Sequence, residues 1–225
     1  MNVIDSQKEI KVHDTHIFDD KDVDGTTQTN TRGDLFRFHA TNTTRARSKT
    51  VVNPALESTP HGFYYELSDI TQGDNDNQRI GNDIKAKSIF ISGTVCNGDD
   101  TFNNIDIILL KVTNSGASGA DIQDIFQFPE KPYSVLRRDT DETGNYSIIC
   151  RKKVPLHNFS GNAATGNECK IVELYKRLNF KITYNGTGDT DGQMNRLYVI
   201  ILSDSGSGSA THPKFQGTFR FKFVD

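Results

Sequence analysis

One group of acidic residues in this sequence has the spacing of a metal-binding loop. Asp20, Asp22 and Asp24, followed by Gly25, match the start of an EF-hand calcium loop. The twelfth position of that loop is Thr31, where a bidentate glutamate is required, and no flanking helices are predicted. The three aspartates therefore remain a weak candidate for a calcium site, and a solvated acidic loop is the simpler interpretation.

The nucleophiles and histidines of the sequence form no catalytic arrangement. His13 and His16 are three residues apart on a predicted strand, so they point to opposite faces and cannot chelate a metal from one side. Neither a Gly-x-Ser-x-Gly elbow nor a phosphate-binding P-loop occurs. Cys96, Cys150 and Cys169 lack a CxxC spacing, and we expect them to be reduced thiols of an intracellular protein. The sequence thus predicts no enzyme, no catalytic residue and no cofactor.

The charged residues are segregated along the chain, although the net charge is only −3. Residues 1–25 carry three lysines against seven carboxylates, a net charge of −4, whereas residues 32–49 have a net charge of +4 and residues 137–153 a net charge of +2. Five basic side chains make up the 32–49 cluster: Arg32, Arg37, Arg45, Arg47 and Lys49. Such a cluster is a candidate contact for a polyanion, for a neighbouring subunit or for nucleic acid.

The elements that position these residues are predicted to be strands. Eight segments show alternating or continuous apolar residues between turn-rich loops: 7–16, 84–95, 104–112, 133–138, 146–156, 174–184, 195–203 and 216–224. The segment 104–112 is nearly all aliphatic, so we expect both of its faces to be covered. One short helix is predicted at 121–128, and residues 28–62 are predicted to be a loop insertion with little regular structure.

This pattern predicts an all-β fold: a single eight-stranded antiparallel jelly roll, a β-sandwich with long loops and little helix. A length of 225 residues suits one domain over 1–225. The sequence has no apolar run of 18 residues and no apolar segment at its start, so neither a membrane span nor a signal peptide is expected. If the strands are lettered B to I in chain order, strands B, I, D and G form one sheet.

Basic side chains are predicted on the solvent face of strands B, G and I. They are Lys11, His13, Arg177, Lys181, Arg220 and Lys222. A solvated sheet face is one interpretation. The functional alternative is a surface that binds nucleic-acid phosphates in a salt-dependent manner, for which Lys11, Arg177, Lys181, Arg220 and Lys222 are the candidates.

The stretch 67–95 carries the most specific pattern of the chain. It contains Leu-Ser-Asp-Ile-x-Gln-Gly from residue 67, Asn-Gln-Arg-Ile-Gly-Asn from residue 77, and Ile-Lys-x-Lys-Ser-Ile from residue 84. This order resembles the capsid proteins of small circular single-stranded DNA viruses, the circovirus- and geminivirus-like group that encodes a rolling-circle replication protein. Members of that group are single jelly rolls, sixty copies of which form a T=1 icosahedral shell around the genome.

The resemblance implies a structural coat protein of a virion that self-assembles inside the host cell, in the nucleus. Its expected partners are other copies of itself, single-stranded DNA or another nucleic acid, and a host-surface receptor or polyanion. The turn at 72–82 would contribute subunit contacts through Gln72, Asn77, Gln78 and Arg79. The last strand would pair with the first.

The chain departs from the family at its acidic start, because these capsid proteins begin with a long Arg/Lys-rich arm. Either that arm was removed from this sequence, or packaging relies on the inner face of the shell. If residues 1–60 instead act as an internal arm, the 32–49 cluster contacts nucleic acid. A non-enzymatic β-sandwich binding module, lectin-like or receptor-binding, is the alternative function.

Overall fold

The computed structural model describes residues 9–17, 48–52, 60–97, 102–113, 146–157, 168–188, 192–203 and 214–225. These residues form strands and connecting loops, and no helix occurs among them. The strands are β1 (Lys11–Ile17), β2 (Ser48–Val52), β3 (Pro60–Glu66), β4 (Asp83–Cys96), β5 (Asn103–Val112), β6 (Tyr146–Leu156), β7 (Cys169–Tyr184), β8 (Gly192–Met194), β9 (Arg196–Ser203) and β10 (Lys214–Val224). The all-β prediction is confirmed for this part of the chain. The predicted helix at 121–128 and strand at 133–138 lie outside it.

The strands form two antiparallel five-stranded sheets. The first sheet has the order β1-β10-β4-β7-β8, and the second has the order β2-β3-β9-β5-β6. One buried apolar cluster takes side chains from both, such as Ile89 and Phe221 from the first sheet and Ile107 and Val199 from the second. Because burial of apolar surface is the main favourable term in folding, this shared core is what holds the two sheets together, an arrangement consistent with a β-sandwich.

The last strand shows the period-2 burial that its sequence predicts. In β10, Phe219, Phe221 and Phe223 are buried, while Arg220 and Lys222 are exposed. Both faces of β5 are covered, as expected from its continuous aliphatic run. Ile105, Ile107 and Leu109 join the main core, and the side chains of the other face join a second cluster with Tyr198 and Ile200: Ile108, Leu110 and Val112.

The predicted orientation of β1 is wrong. Lys11, expected on the solvent face, is 5% exposed, whereas the neighbouring Ile10 is 60% exposed. Lys11 and His13 are in register with Phe223 and Phe221, so their side chains share the core-facing side of the sheet. The Lys11 ammonium is satisfied there: it donates to the Gln78 carbonyl oxygen at 2.9 Å and lies 3.0 Å from Asp225 Oδ2. A lysine can bury its aliphatic stem when its head group finds such partners.

The predicted division of strands between the sheets is also wrong at two positions. The prediction placed 104–112 in the sheet of strands B, I and G, but β4 occupies that place and β5 lies in the second sheet. The cause is β3, which pairs with β9 although little regular structure was expected up to residue 62. A strand scheme that omits β3 therefore assigns β4 and β5 to the wrong sheets.

Two of the three cysteines are not reduced thiols. Cys96 and Cys169 are directly opposite each other on β4 and β7, with Cα atoms 4.1 Å apart, and form a disulfide. Their separation of 73 residues hides this pairing in the sequence. Cys150 is a free thiol, and burial raises its pKa.

Two glycines face each other where β4 and β10 approach closely. Gly93 and Gly217 are in register. A Cβ added to Gly93 would lie 2.5 Å from the Gln216 carbonyl oxygen and 2.9 Å from the ring of Phe215. Only the absence of a side chain lets the buried Phe215 ring pack over this crossing.

We therefore expect Gly93→Ala to destabilise the fold by about 1–3 kcal/mol through overpacking. Gly81→Ala is the matched control, because the nearest atom to its added Cβ would be 3.8 Å away; its effect should stay within about 0.5 kcal/mol. Chemical denaturation of both variants checks this. Equal midpoints for the two variants would contradict the close-approach interpretation.

Candidate nucleic-acid interface

The outer face of the first sheet, opposite the core, carries rows of exposed basic side chains. Arg177 on β7 and Lys222 on β10 are both in register with Ser88 on the intervening β4. One row further, Lys85 of β4 is directly opposite Lys181 of β7. Arg177, Lys181 and Lys222 are exposed as predicted. Since neighbouring strands lie about 4.8 Å apart, these cations occupy one compact patch.

The patch lines an open groove of about 1470 Å³. Five basic side chains line it: Lys85, Lys87, Arg177, Lys181 and Lys222. Two acidic residues, Asp83 and Asp225, line it as well, but both have a lysine partner. Asp83 Oδ2 is 2.9 Å from Lys181 Nζ, and the Asp225 carboxylate pairs with Lys11. The hydrogen bond from Lys181 lowers the pKa of Asp83.

Four cations of the groove thus remain for a ligand. Within the described part of the chain, no ion pair engages Lys85, Lys87, Arg177 or Lys222. Arg220, in contrast, makes a two-pronged contact with Asp14, with Nε–Oδ1 and Nη2–Oδ2 distances of 2.9 and 2.7 Å. We conclude that Lys181 and Arg220 are the weaker phosphate-binding candidates, because a carboxylate already neutralises each of them.

A bulge in β4 shapes the groove. Pairing with β7 skips from Ala86 to Ser88, and pairing with β10 is irregular at the same point, so Lys87 has no partner residue in either ladder. A bulge bends its strand and redirects a side chain. Lys87 is accordingly exposed beside Ser88.

Sequence reasoning missed four exposed side chains of this face. Lys85 and Lys87 were quoted only as part of a motif, although their alternation with the buried Ile84 and Ala86 signals an outward position. Tyr175 and Phe90 were also missed. They are directly opposite each other on β7 and β4 and are 60% and 36% exposed. No signal in the sequence distinguishes these two rings from core aromatics.

The turn at 72–82 is built around Arg79, the largest fully buried side chain of the described residues. Its Nε donates to the Ile70 carbonyl oxygen at 3.0 Å, and its Nη1 donates to the Gly81 carbonyl oxygen at 2.7 Å. Nη2 donates to the carbonyl oxygens of Gly186 and Gly188, in the loop that follows β7. The guanidinium therefore ties two loops together.

Tyr184, the last residue of β7, packs against the Arg79 guanidinium. The Arg79 guanidinium carbon lies 4.1 Å from the centre of the Tyr184 ring, a cation–π contact. The Tyr184 hydroxyl donates to the Ser68 carbonyl oxygen at 2.7 Å, and its backbone N–H donates to the Asn82 carbonyl oxygen at 2.8 Å. Burial raises the pKa of Tyr184, so the hydroxyl stays a donor.

The hypothesis that the Arg79 side chain contacts a neighbouring subunit is wrong, because that side chain is completely enclosed within its own chain. Gln72 donates to the Ile80 carbonyl oxygen at 2.5 Å, and the Gln78 side chain accepts from the Asn75 N–H at 3.2 Å, so both also stabilise the turn itself. Asn77 is exposed and stays a candidate contact. Ile80, not considered from the sequence, is 58% exposed beside it.

A second buried polar network supports the segment that leads into the turn. Ser68 Oγ accepts from the Leu197 N–H at 3.0 Å and donates to Glu66 at 3.1 Å. Glu66 also accepts from the Tyr198 hydroxyl at 2.9 Å and lies 3.7 Å from Arg196. Burial raises the pKa of Glu66, against the opposing effects of Arg196 and Tyr198.

The remaining site candidates lie mostly outside the described residues. This applies to Asp20, Asp22, Asp24 and the four arginines at 32, 37, 45 and 47. Lys49 lies on β2, at the edge of the second sheet and thus in the other layer from the groove. The described ranges contain no group of three or more His, Cys, Asp or Glu residues able to hold a metal ion. Nor do they contain a helix with the length and apolarity that crossing a bilayer requires.

Comparison of this chain with protein-family models and with curated proteins finds no match. The functional conclusions therefore depend on the geometry of the two sheets and on the sequence pattern of residues 67–95.

Replacing Arg79 should destabilise the fold of this chain. Arg79→Ala leaves buried carbonyl oxygens without donors, and we expect a loss of at least about 3 kcal/mol. Arg79→Lys should not rescue it, because an ammonium lacks the planar fork. Asn77→Ala, in the same turn but exposed, is the control and should change stability by less than about 0.5 kcal/mol. Similar thermal unfolding of Arg79→Ala and Asn77→Ala would refute the structural role.

Glu66→Gln should stabilise the protein increasingly as pH rises. The folded-state pKa of Glu66 lies above its unfolded value, so ionisation above pH 4.5 penalises the folded state of the wild type but not of the variant. The melting temperature of the variant minus that of wild type should therefore be larger at pH 7 than at pH 4. Asp83→Asn is a control of opposite sign, since the pKa of Asp83 is lowered. A flat or falling difference for Glu66→Gln would contradict this assignment.

Proposed function

We propose that this chain is a coat protein that self-assembles into a small icosahedral shell enclosing a single-stranded DNA genome. The observation that carries the proposal is the basic groove on the outer face of the first sheet. The resemblance of residues 67–95 to the capsid proteins of small circular DNA viruses further suggests that the chain is part of a virion and assembles in the nucleus of a host cell.

The strand order supports a jelly roll. If β1, β3, β4, β5, β6, β7, β9 and β10 are lettered B to I, the first sheet has the order B-I-D-G and the second has the order C-H-E-F. Two such four-stranded sheets define the jelly roll found in viral capsids and lectins. In this assignment β2 and β8 are additional strands at the two sheet edges.

The charge of the groove supports a polyanionic partner. Lys85, Lys87, Arg177 and Lys222 converge on one concave surface whose two carboxylates are already paired. Each phosphate that such cations neutralise releases counterions, which makes binding favourable and salt-dependent. A shell would repeat this patch in every subunit, so a modest contact per subunit suffices to hold a genome.

Exposed apolar side chains support self-association. Ile10 and Ile80 are 60% and 58% exposed and lie at one corner, where Lys11 and the Ile80 N–H both contact Asp225. Contiguous exposed apolar surface marks interaction sites, and we propose that these two side chains contribute to one such contact between copies of the chain. A closed symmetric assembly would bury them repeatedly.

Electron microscopy of the purified protein, with the 260/280 nm absorbance ratio of the same sample, tests this proposal. We expect uniform round particles with an absorbance ratio raised by nucleic acid. Only monomers or small oligomers would overturn the proposal and favour a β-sandwich binding module, lectin-like or receptor-binding.

Ile80→Lys should prevent particle formation without unfolding the subunit, because it places a charge on the exposed corner of the turn. Asn75→Lys, also exposed in this turn, controls for added charge. Size-exclusion chromatography and circular dichroism measure assembly and folding separately. Normal particles from Ile80→Lys would remove Ile80 from the interface.

A further inference from the structure

We infer that the groove of the first sheet binds single-stranded nucleic acid by stacking a base on Tyr175, while Lys87, Arg177 and Lys222 contact the flanking phosphates. This inference deepens the proposed function and rests on it, because it names the residues that bind the single strand and the way in which they bind it. The observation behind it is an exposed aromatic ring inside a patch of cations.

The position of Tyr175 differs from that of the phenylalanines of β10. The phenylalanines of β10 are buried in the core, whereas Tyr175 is 60% exposed and lines the groove. It lies two residues from Arg177 on the same strand. Residues i and i+2 of a strand share a face at a spacing of about 6.6–6.8 Å, so the ring and the guanidinium face one ligand together.

Phe90 extends the aromatic surface of Tyr175 onto the neighbouring strand. Phe90 is directly opposite Tyr175 on β4, and Arg220 is directly opposite Phe90 on β10. The next row holds Lys222, Ser88 and Arg177. A row of rings beside a row of cations is the arrangement that binds successive bases and phosphates of one strand.

The same geometry disfavours a duplex. In double-stranded DNA the base faces are stacked on one another and unavailable to a side chain, so only the cations would contribute. A single strand offers both a free base face and flexible phosphates. Stacking is tolerant of sequence, because every base has a π-face. The site should therefore prefer single strands over duplex without strong sequence preference.

The test is fluorescence anisotropy with a labelled oligothymidylate of about ten nucleotides and the unassembled fraction of the full chain. Tyr175→Ala should weaken binding about 5- to 150-fold, which corresponds to the stacking of one base. Tyr175→Phe should restore it, because the ring is kept. A duplex of the same length should bind more weakly than the single strand and respond little to either substitution.

Salt dependence separates the ring from the cations. Lys87→Ala should reduce the slope of log affinity against log salt by about 0.7, the value for one phosphate contact on a single strand. Tyr175→Ala should leave that slope unchanged. Equal affinities of wild type, Tyr175→Ala and Tyr175→Phe for the single strand would overturn the inference, as would equal losses of single-strand and duplex binding in Tyr175→Ala.

Particles of the same variants distinguish this inference from the proposed function. If wild type forms shells and Tyr175→Ala forms shells with a lower 260/280 nm ratio, both are supported. If the shells of Tyr175→Ala have the same 260/280 nm ratio as those of wild type, the inference is overturned and the proposed function is not. Ring-dependent binding by a protein that forms no shells supports the inference and overturns the capsid function.

Discussion

The hydrogen bonds of the buried Arg79 guanidinium join the two loops that flank the strands of the groove. Leaving such a charge in an apolar interior without partners would be prohibitively unfavourable, so the carbonyl oxygens of two loops must converge on it. The first loop leads directly into β4, and the second follows β7. Because these strands supply most of the groove, Arg79 holds together the ends of β4 and β7 that carry Lys85 and Lys181, which the ladder places opposite each other.

Much of the fold can be predicted from hydrophobic periodicity, because alternation of apolar and polar residues fixes both the element and its faces. The alternating run of β10 and the continuous aliphatic run of β5 both form strands with the burial predicted for them, although β5 lies in the other sheet from the one predicted. Arg177, Lys181, Arg220 and Lys222 are exposed for the same reason. Periodicity is weaker at β1, where a lysine satisfied by a carbonyl oxygen and a carboxylate takes a core-facing position.

The features that were missed depend on contacts between distant parts of the chain. The disulfide of Cys96 and Cys169 requires the register of β4 and β7. The burial of Arg79 requires the loop at 186–188, more than a hundred residues away. The groove also requires the bulge at Lys87, which no residue type in this stretch predicts. Charge pairing likewise decides which cations stay available: Lys181 and Arg220 have carboxylate partners that sequence distance conceals.

A reconstruction of the assembled protein by cryo-electron microscopy would test the central claim most directly, since it shows both the shell and the orientation of each subunit. We expect a closed icosahedral particle in which the outer face of the first sheet lines the interior, with density for nucleic acid in the groove beside Tyr175 and Lys87. A particle with this groove on its exterior or sealed between subunits would contradict the proposed role of the groove, and the absence of any closed particle would contradict the capsid function.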